Sequence, residues 1–557
     1  MKDPMKPVRT VPIVRRRVRA PKVKTGCETC KKRRVKCDEA FPVCLRCTKT
    51  GRKCDGYKAK EKDLLLPVER DIFLDPITRI PFSFPCEDEQ ERRAFQYFFT
   101  KTSAEIAGFL PSDFWNKLIL QASHTDPAIL HAVIALGSAH ESYGGEAPGH
   151  LRRNGLARKY FALQQSNKAI GHLLAQRSAR IPRSGESVVL TCILFICLET
   201  FQGNHAAALA HLESGLNILE SWLHDDEEHQ PVLSPDYISR PTRRFLEEEL
   251  IPLFTRLDVQ ATTIAPSRSL KELSPCCSTK EPIMPTRFTS LSDANNHLAD
   301  LVHWMLYSNN GAHNMMYWMV DNPLAQLKTR PPPTTVDNPI PKLPEVVLKK
   351  IRKIETQHGR IMEQWLEALN LYLKENVDLD PKEMRAAVML KILYTGTMII
   401  QNASLYNHDL EYDKYNPQFE RVITLAEFLI QSQARAKDKN KPLYCVEMNI
   451  LPPLYYCSTR CRDPKLRRRA LALLEDSPRR EGLWDSEMLA ATARYIIEKE
   501  EAGLGDASCA EDIPASARVC ILDQVPDLEE RRCVIKYCKG IRNPYAKLDI
   551  KEVLITW

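Results

Sequence analysis

The sequence predicts two unequal parts: a small metal-stabilised module near the N-terminus, and a large, mostly all-α domain with short strands at its C-terminal end. Three observations predict this. Six of the 18 cysteines fall between Cys27 and Cys54, separated by two, six, six, two and six residues. Apolar residues recur at helical spacing through most of the remaining chain. Charge is also unevenly divided. Residues 1–62 hold 21 Lys+Arg against 6 Asp+Glu, a net +15, which leaves −7 for the other 495 residues of a chain whose total is +8. A short, strongly basic end suits a polyanion, and the mildly acidic body carries no such signal.

Residues 1–25 form a basic arm built around Arg15-Arg16-Arg17-Val18-Arg19, Lys22 and Lys24. Such a run serves as a nuclear-import signal, as a flexible arm on phosphates, or simply as a solvated tail. It has no apolar stretch of the secretory kind, so an intracellular chain is expected. In a reducing compartment, clustered cysteines point to metal rather than to disulfides.

Residues 26–57 contain an internal repeat: Cys27-x2-Cys30-x6-Cys37, then Cys44-x2-Cys47-x6-Cys54. Thiolates suit zinc, and a tetrahedral site needs four of them. Six thiolates fill two such sites only if two of them bridge. Pseudo-symmetry suggests Cys27 and Cys44 as the bridges. One zinc then takes Cys27, Cys30, Cys37 and Cys44, and the other takes Cys27, Cys44, Cys47 and Cys54. So short a segment cannot bury a core, so the metals supply most of its folding energy. An iron–sulfur or redox set is the weaker reading of the same residues.

Gly26 to Tyr57, GCETCKKRRVKCDEAFPVCLRCTKTGRKCDGY, resembles the binuclear zinc-cluster DNA-binding domain of fungal transcription regulators. All six cysteines match, as do the basic run before Cys37, Pro42 and Gly51. The resemblance implies a nuclear regulator of RNA polymerase II genes that reads a CGG-type half-site with the first helix of the cluster. The residues themselves agree with a G-rich target. A helix expected to begin near Cys30 carries Lys31, Lys32, Arg33 and Arg34, and Arg and Lys donate to guanine O6 and N7. The resemblance puts base contacts at Arg33 and Arg34, where the family often has Lys. Arg is the better bidentate donor, so the contact is expected to shift. Lys31, Lys32, Lys36, Lys49 and Lys53 are expected on phosphates, where they position rather than specify. The two halves differ in one further way: Gly51 stands where the first repeat has Arg34.

Residues 58–88 form a linker. Leu64-Leu65-Leu66 is stopped by Pro67, and Pro76, Pro81 and Pro85 follow. That leaves no room for the coiled coil with which many such regulators pair, so the expectation is either a homodimer through the helical domain or weak monomeric binding helped by the basic arm.

Residues 89–557 form that domain. Helices are expected at Glu91–Thr102, Pro127–Tyr143, Leu156–Ala179, Ser187–Phe201, Ala206–Leu223, Arg243–Val259, Leu291–Leu306, Glu345–Leu373, Pro381–Gln401, Gln418–Arg435, Pro464–Leu474 and Ser486–Ala502. Loops are expected at Pro266–Pro285 and Pro331–Pro344, and strands at Val519–Leu522, Cys533–Lys536 and Val553–Trp557. The apolar run Val188–Leu198 is too short to span a bilayer and reads as a buried helix. Phe95-Gln96-Tyr97-Phe98, Asp126-Pro127-Ala128, His131–Leu136, Leu190–Gly203 and Ala210–Leu216 resemble the helical regulatory region downstream of many fungal zinc clusters. The resemblance fades after about residue 260. It implies contact with transcriptional coregulators.

In Ala206–Leu223, Leu209, Leu212, Leu216, Leu219 and Leu223 form two heptads. Core packing is the expected use, and a dimer contact the sharper alternative. No catalytic constellation is visible: His140-Glu141 lacks a second histidine, and no nucleophile elbow or phosphate loop occurs. His131, His205 and His211 are expected to be structural, and Cys457/Cys461, Cys533/Cys538 and Cys276-Cys277 to be idle thiols. Asp225-Asp226-Glu227-Glu228 reads as a solvated loop before it reads as an acidic activation segment. A zinc-dependent, sequence-specific DNA-binding transcription regulator is the function expected. A DNA-bound repressor or adaptor is the alternative, and an enzyme with an accessory zinc module the remote one.

Overall fold

Two short helices organise the N-terminal unit, which lies within Met1–Arg79; the second unit spans Ile80–Trp557. The computed structural model describes residues 27–38, 44–55, 86, 88–143, 151–178, 183–224, 238–239, 243–264, 281–321, 345–405, 409–434, 443–505, 507–540 and 549–557. The basic arm, nearly all of the linker, Asp225–Glu228, Cys276-Cys277 and the loop Pro331–Pro344 lie outside the described residues.

In the first unit, α1 (Glu28–Lys32) and α2 (Leu45–Lys49) each run five residues. Among the described residues no aliphatic core holds them: the buried ones are Cys27, Cys30, Cys44 and Cys47, with Val35, Cys37 and Cys54 packed against them.

The second unit is mostly helical, in agreement with the periodicity. It opens with α3 (Glu89–Tyr97), which a wider turn at Phe98–Thr102 continues into α4 (Ser103–Ile106). There follow α5 (Ile119–Thr125), α6 (Pro127–Tyr143), α7 (Leu151–Ser178), α8 (Gly185–Gln202) and α9 (His205–His224). Next come α10 (Arg243–Phe245), α11 (Ile251–Ile264) and α12 (Leu291–Asp321). The last six are α13 (Glu345–Glu375), α14 (Pro381–Ala403), α15 (Asn416–Ala434), α16 (Leu451–Arg460), α17 (Pro464–Asp476) and α18 (Ser486–Glu501).

Several starts are written locally. Asp88, Asp380, Asp463 and Asp485 accept hydrogen bonds from first-turn N–H groups, and Pro127, Pro381 and Pro464 open their helices, where a missing N–H costs nothing. Helix α6 packs between α7 and α8, and α8 packs on α9. Helix α8 is long and apolar enough to cross a membrane, but 78% of it is buried inside the protein, as a core helix should be. Leu212, Leu216 and Leu219 of α9 are buried, and Leu209 and Leu223 pack against the same core. That heptad is therefore internal. Gly215 on α9 is required there, since an added Cβ would meet the Phe254 ring at 2.4 Å.

Three strands close the chain: β6 (Val519–Asp527), β7 (Arg532–Lys539) and β8 (Lys551–Thr556), antiparallel in sequence order. Short pairings at Arg183–Ser184 with Ile238–Ser239, and among Leu443–Cys445, Arg479–Glu481 and Trp484–Asp485, make up β1 to β5. Val519, Cys533, Ile535, Tyr537 and Ile555 join the helical core. A buried ion network ties sheet to helices. Glu500 on α18 accepts from Arg462 and Arg467 at 2.8 Å each and from the Val519 N–H at 2.7 Å. Arg518 pairs with Asp413 at 2.6 Å.

Candidate metal centre and nucleic-acid interface

The two halves of the repeat fold alike in their caps and in the closing hydrogen bonds of their helices. Cys27 caps α1 by accepting from the Cys30 N–H at 3.3 Å, and Cys44 caps α2 by accepting from the Cys47 N–H at 3.3 Å. At the other end, the Val35 N–H reaches back to the Cys30 carbonyl at 3.1 Å, and the Arg52 N–H to the Cys47 carbonyl at 3.0 Å. This six-to-one closure needs a left-handed residue just before it. Arg34, with φ +57°, and Gly51, with φ +65°, supply it. Helix α1 thus begins at its Cys27 cap rather than near Cys30, because the sulfur itself satisfies the first-turn donor.

The sulfurs converge as two sets. Those of Cys27, Cys30, Cys37 and Cys44 all lie within 4.8 Å of one another, and so do those of Cys27, Cys44, Cys47 and Cys54. Cys27 and Cys44 belong to both sets, and their sulfurs are 3.6 Å apart; Cys30 and Cys44 are 3.7 Å apart, and Cys27 and Cys47 are 3.9 Å apart. A tetrahedron with zinc–sulfur bonds of about 2.3 Å has edges of about 3.8 Å. The donor set therefore fits zinc in both chemistry and size. Burial pushes the Cys27 thiol up to about 12 and raises those of Cys30 and Cys44 as well. A bound cation displaces these protons, so metal binding competes with acid.

The cations surround this centre. Lys31, Lys32, Arg34, Lys36, Lys49 and Lys53 lie at its surface. Arg33 is half-buried and donates to Thr50 Oγ1 at 3.3 Å, bridging the two halves. Lys31 pairs with Glu28 at 3.3 Å and Lys32 with Asp55 at 3.8 Å. Arg46 and Arg52, which the repeat alone did not single out, are exposed on the second half. Asp38 braces that half by accepting from the N–H groups of Leu45 and Arg46 at 3.0 and 2.7 Å.

The helical unit offers no comparable chemistry among the described residues. His140 lies between Thr102 Oγ1 at 2.9 Å and Glu105 at 3.2 Å, and Glu141 pairs with Arg93 and Arg158. His131 bonds Gln165 at 2.7 Å, and His205 bonds the Leu483 carbonyl at 2.7 Å; burial holds both imidazoles below their usual range. A cavity of about 380 Å³ lies beside Asp113, Trp115, Glu249 and Arg256. Its arginine is committed to Glu447 and Asn296.

Comparison with known proteins gives one family match in each of the two units. Residues 25–64 match the fungal Zn(2)-Cys(6) binuclear cluster domain, and residues 93–269 match the fungal specific transcription factor domain. The chain is 26% identical to the aspercryptin biosynthesis cluster-specific transcription regulator atnN of Emericella nidulans, over 93% of this chain and 94% of that one. It is 30% identical to the transcription regulator lscL of Purpureocillium lilacinum over 23% of this chain and 30% of that one. No solved structure matches. Both relatives are named as transcription regulators, and both matching families are described as fungal transcription-factor or zinc-cluster domains, not as enzymes.

Proposed function

Because the chain belongs to the fungal zinc-cluster transcription regulators, we propose that it acts in the nucleus on RNA polymerase II genes, reading a CGG-type half-site through α1. The observation that carries this reading is the pair of interlocked four-sulfur sets, which hold α1 by its Cys27 cap and leave its C-terminal end to the cations. Cys27, Cys30, Cys37, Cys44, Cys47 and Cys54 would hold two zinc ions, with Cys27 and Cys44 serving both sets. Arg34 leads the base contacts: it stands at the helix end, whereas Arg33 spends a donor on Thr50. Lys31, Lys32, Lys36, Lys49 and Lys53 rest on phosphates and set the register.

One triplet is a short address, and a second module lengthens it. The helical region is assigned to self-association and to coregulator contact. The name of the Emericella relative supports a biosynthetic gene cluster as the kind of target.

Binding to CGG-bearing and scrambled duplexes at several salt concentrations tests the reading. Arg34→Ala should relax base preference by about 1–3 kcal/mol. Lys49→Ala should weaken both duplexes equally and lower the salt slope by about one. Equal losses on both duplexes for Arg34→Ala sink the reader assignment, and one zinc per chain by elemental analysis sinks the bridged pair.

A further inference from the structure

We propose that α7 is the self-association surface of this chain, its outer face pairing with the same face of a second copy as a parallel two-helix seam. The proposal names the surface for the self-association put forward above and rests on that reading.

Helix α7 has two faces. Phe161, Ala162, Gln165, Ser166 and Ala169 are buried where it packs on α6. Leu156, Tyr160, Leu163 and Ile170, on the opposite side, are 68%, 65%, 49% and 41% exposed. With Asn167, also exposed, they follow one another at steps of four, three, four and three residues. Leu174, 54% exposed, continues the pattern at the next step of four. This is the seam of a coiled coil. It stands opposite to the face that holds the helix on its domain. The leucine heptad of α9 has no such role, since Leu212, Leu216 and Leu219 are at most 2% exposed.

A second copy is the occupant for three reasons. In a parallel, in-register pair, Asn167 meets Asn167, so each amide finds its hydrogen-bond partner; an antiparallel pair sets Asn167 against an apolar side chain. The rows flanking the seam are Ala157, Gln164 and Gly171 on one side and Lys159, Ser166 and Leu173 on the other. In a parallel pair the two rows face each other, so Lys159 meets Gln164 and a two-fold axis brings no like charges together there. At Gly171 an added Cβ meets nothing within 4 Å, and the backbone is open to close approach. The length also suffices. Nineteen residues make a seam of about 28 Å, and two copies bury on the order of 1,000 Å² in all, the lower bound for a specific interface. The helix is already folded on its own domain, so pairing does not bear the cost of forming it.

Sedimentation of the full zinc-loaded chain over a concentration series tests the proposal. The unaltered chain should sediment as a dimer. Leu163→Glu with Ile170→Glu should weaken association tenfold or more, an effect on the scale of central interface contacts, with helical circular dichroism and melting unchanged. Asn167→Cys, oxidised mildly with glutathione disulfide, should yield a self-linked dimer: its two thiols are oxidised to one disulfide while the glutathione disulfide is reduced to two thiols. The unaltered chain, treated alike, should not link. A monomer at every concentration overturns both the seam and the assignment of self-association to the helical region. A dimer that survives the double substitution overturns the seam alone. Should the double variant lose its fold, the cysteine variant decides, and failure to link Asn167→Cys to itself overturns parallel pairing.

Discussion

The cluster and the helical unit solve the same problem, holding backbone in one shape, by opposite means. In the cluster, the groups buried at the centre are thiols, and the two helices of five residues are too short to persist alone. In the helical unit, one apolar core runs from Ala94 to Ile555, and the charges buried in it come with partners. Stability in the first is tied to an ion and to pH. In the second it belongs to the chain itself. The difference predicts that the zinc-cluster end can come apart without disturbing the helical end.

The largest expected effect tests that independence. Chelating zinc, or Cys30→Ala, should abolish DNA binding altogether, and acid should release zinc in the same way, because protons compete for the thiolates. Melting of the helical unit should move by no more than about 0.5 kcal/mol, as for energetically independent sites. A larger shift on chelation breaks the comparison.

The reverse experiment is somewhat smaller. Glu500→Gln removes the buried charge that Arg462 and Arg467 share, leaving Arg462 with Asp409 at 3.2 Å and Arg467 with Glu501 at 3.5 Å. It should cost about 3 kcal/mol of the helical unit's stability, the low end for breaking a buried pair, with zinc content unaltered. Burial alone would raise the Glu500 carboxyl, but Arg462 and Arg467 outweigh it and hold it below the ordinary carboxylate range. Its contribution is therefore present above the unfolded carboxylate value and is lost as pH falls through the lower, folded one. Melting against pH should lose part of its acid limb in the variant.

The smallest effect sharpens the contrast within the cluster. Arg34 occupies a left-handed conformation that costs a non-glycine residue about 1 kcal/mol, in the position where the second half has glycine. Arg34→Gly should thus raise zinc-dependent folding stability by up to about 1 kcal/mol while reducing base discrimination. Loss of both would mean that the arginine braces the cluster rather than reads DNA.

Much of this was legible in the sequence. The cysteine spacing carried the sulfur sets, because ligand geometry is fixed by the metal and not by distant packing. Helices with local caps, such as that after Asp380, were placed to within a few residues. Helix α16 was not expected at all; its Pro452 and Pro453 stand in the first turn, where proline is tolerated. Arg34's left-handed backbone was visible only as its equivalence to Gly51. The outer seam of α7 was hidden because apolar residues on both faces cancel the one-sided pattern that marks an amphipathic helix.

Glu481 shows what such distant support means for the order of events as the chain folds. Its carboxylate accepts the N–H groups of Asn449, Ile450 and Leu451 at 2.8, 3.2 and 2.9 Å, in place of a local cap for α16. During synthesis those donors emerge about thirty residues ahead of their acceptor. Helix α16 also carries two prolines, so it has little to hold it until the strand bearing Glu481 arrives. The same region also waits on contacts that span 186 residues between Gln260 and Val446 and 278 residues between His205 and Leu483, which are slow by the measure of contact order. The core around Tyr455 and Trp484 should accordingly be among the last parts of the helical unit to settle, and the segment between them the one most exposed to premature association on the way.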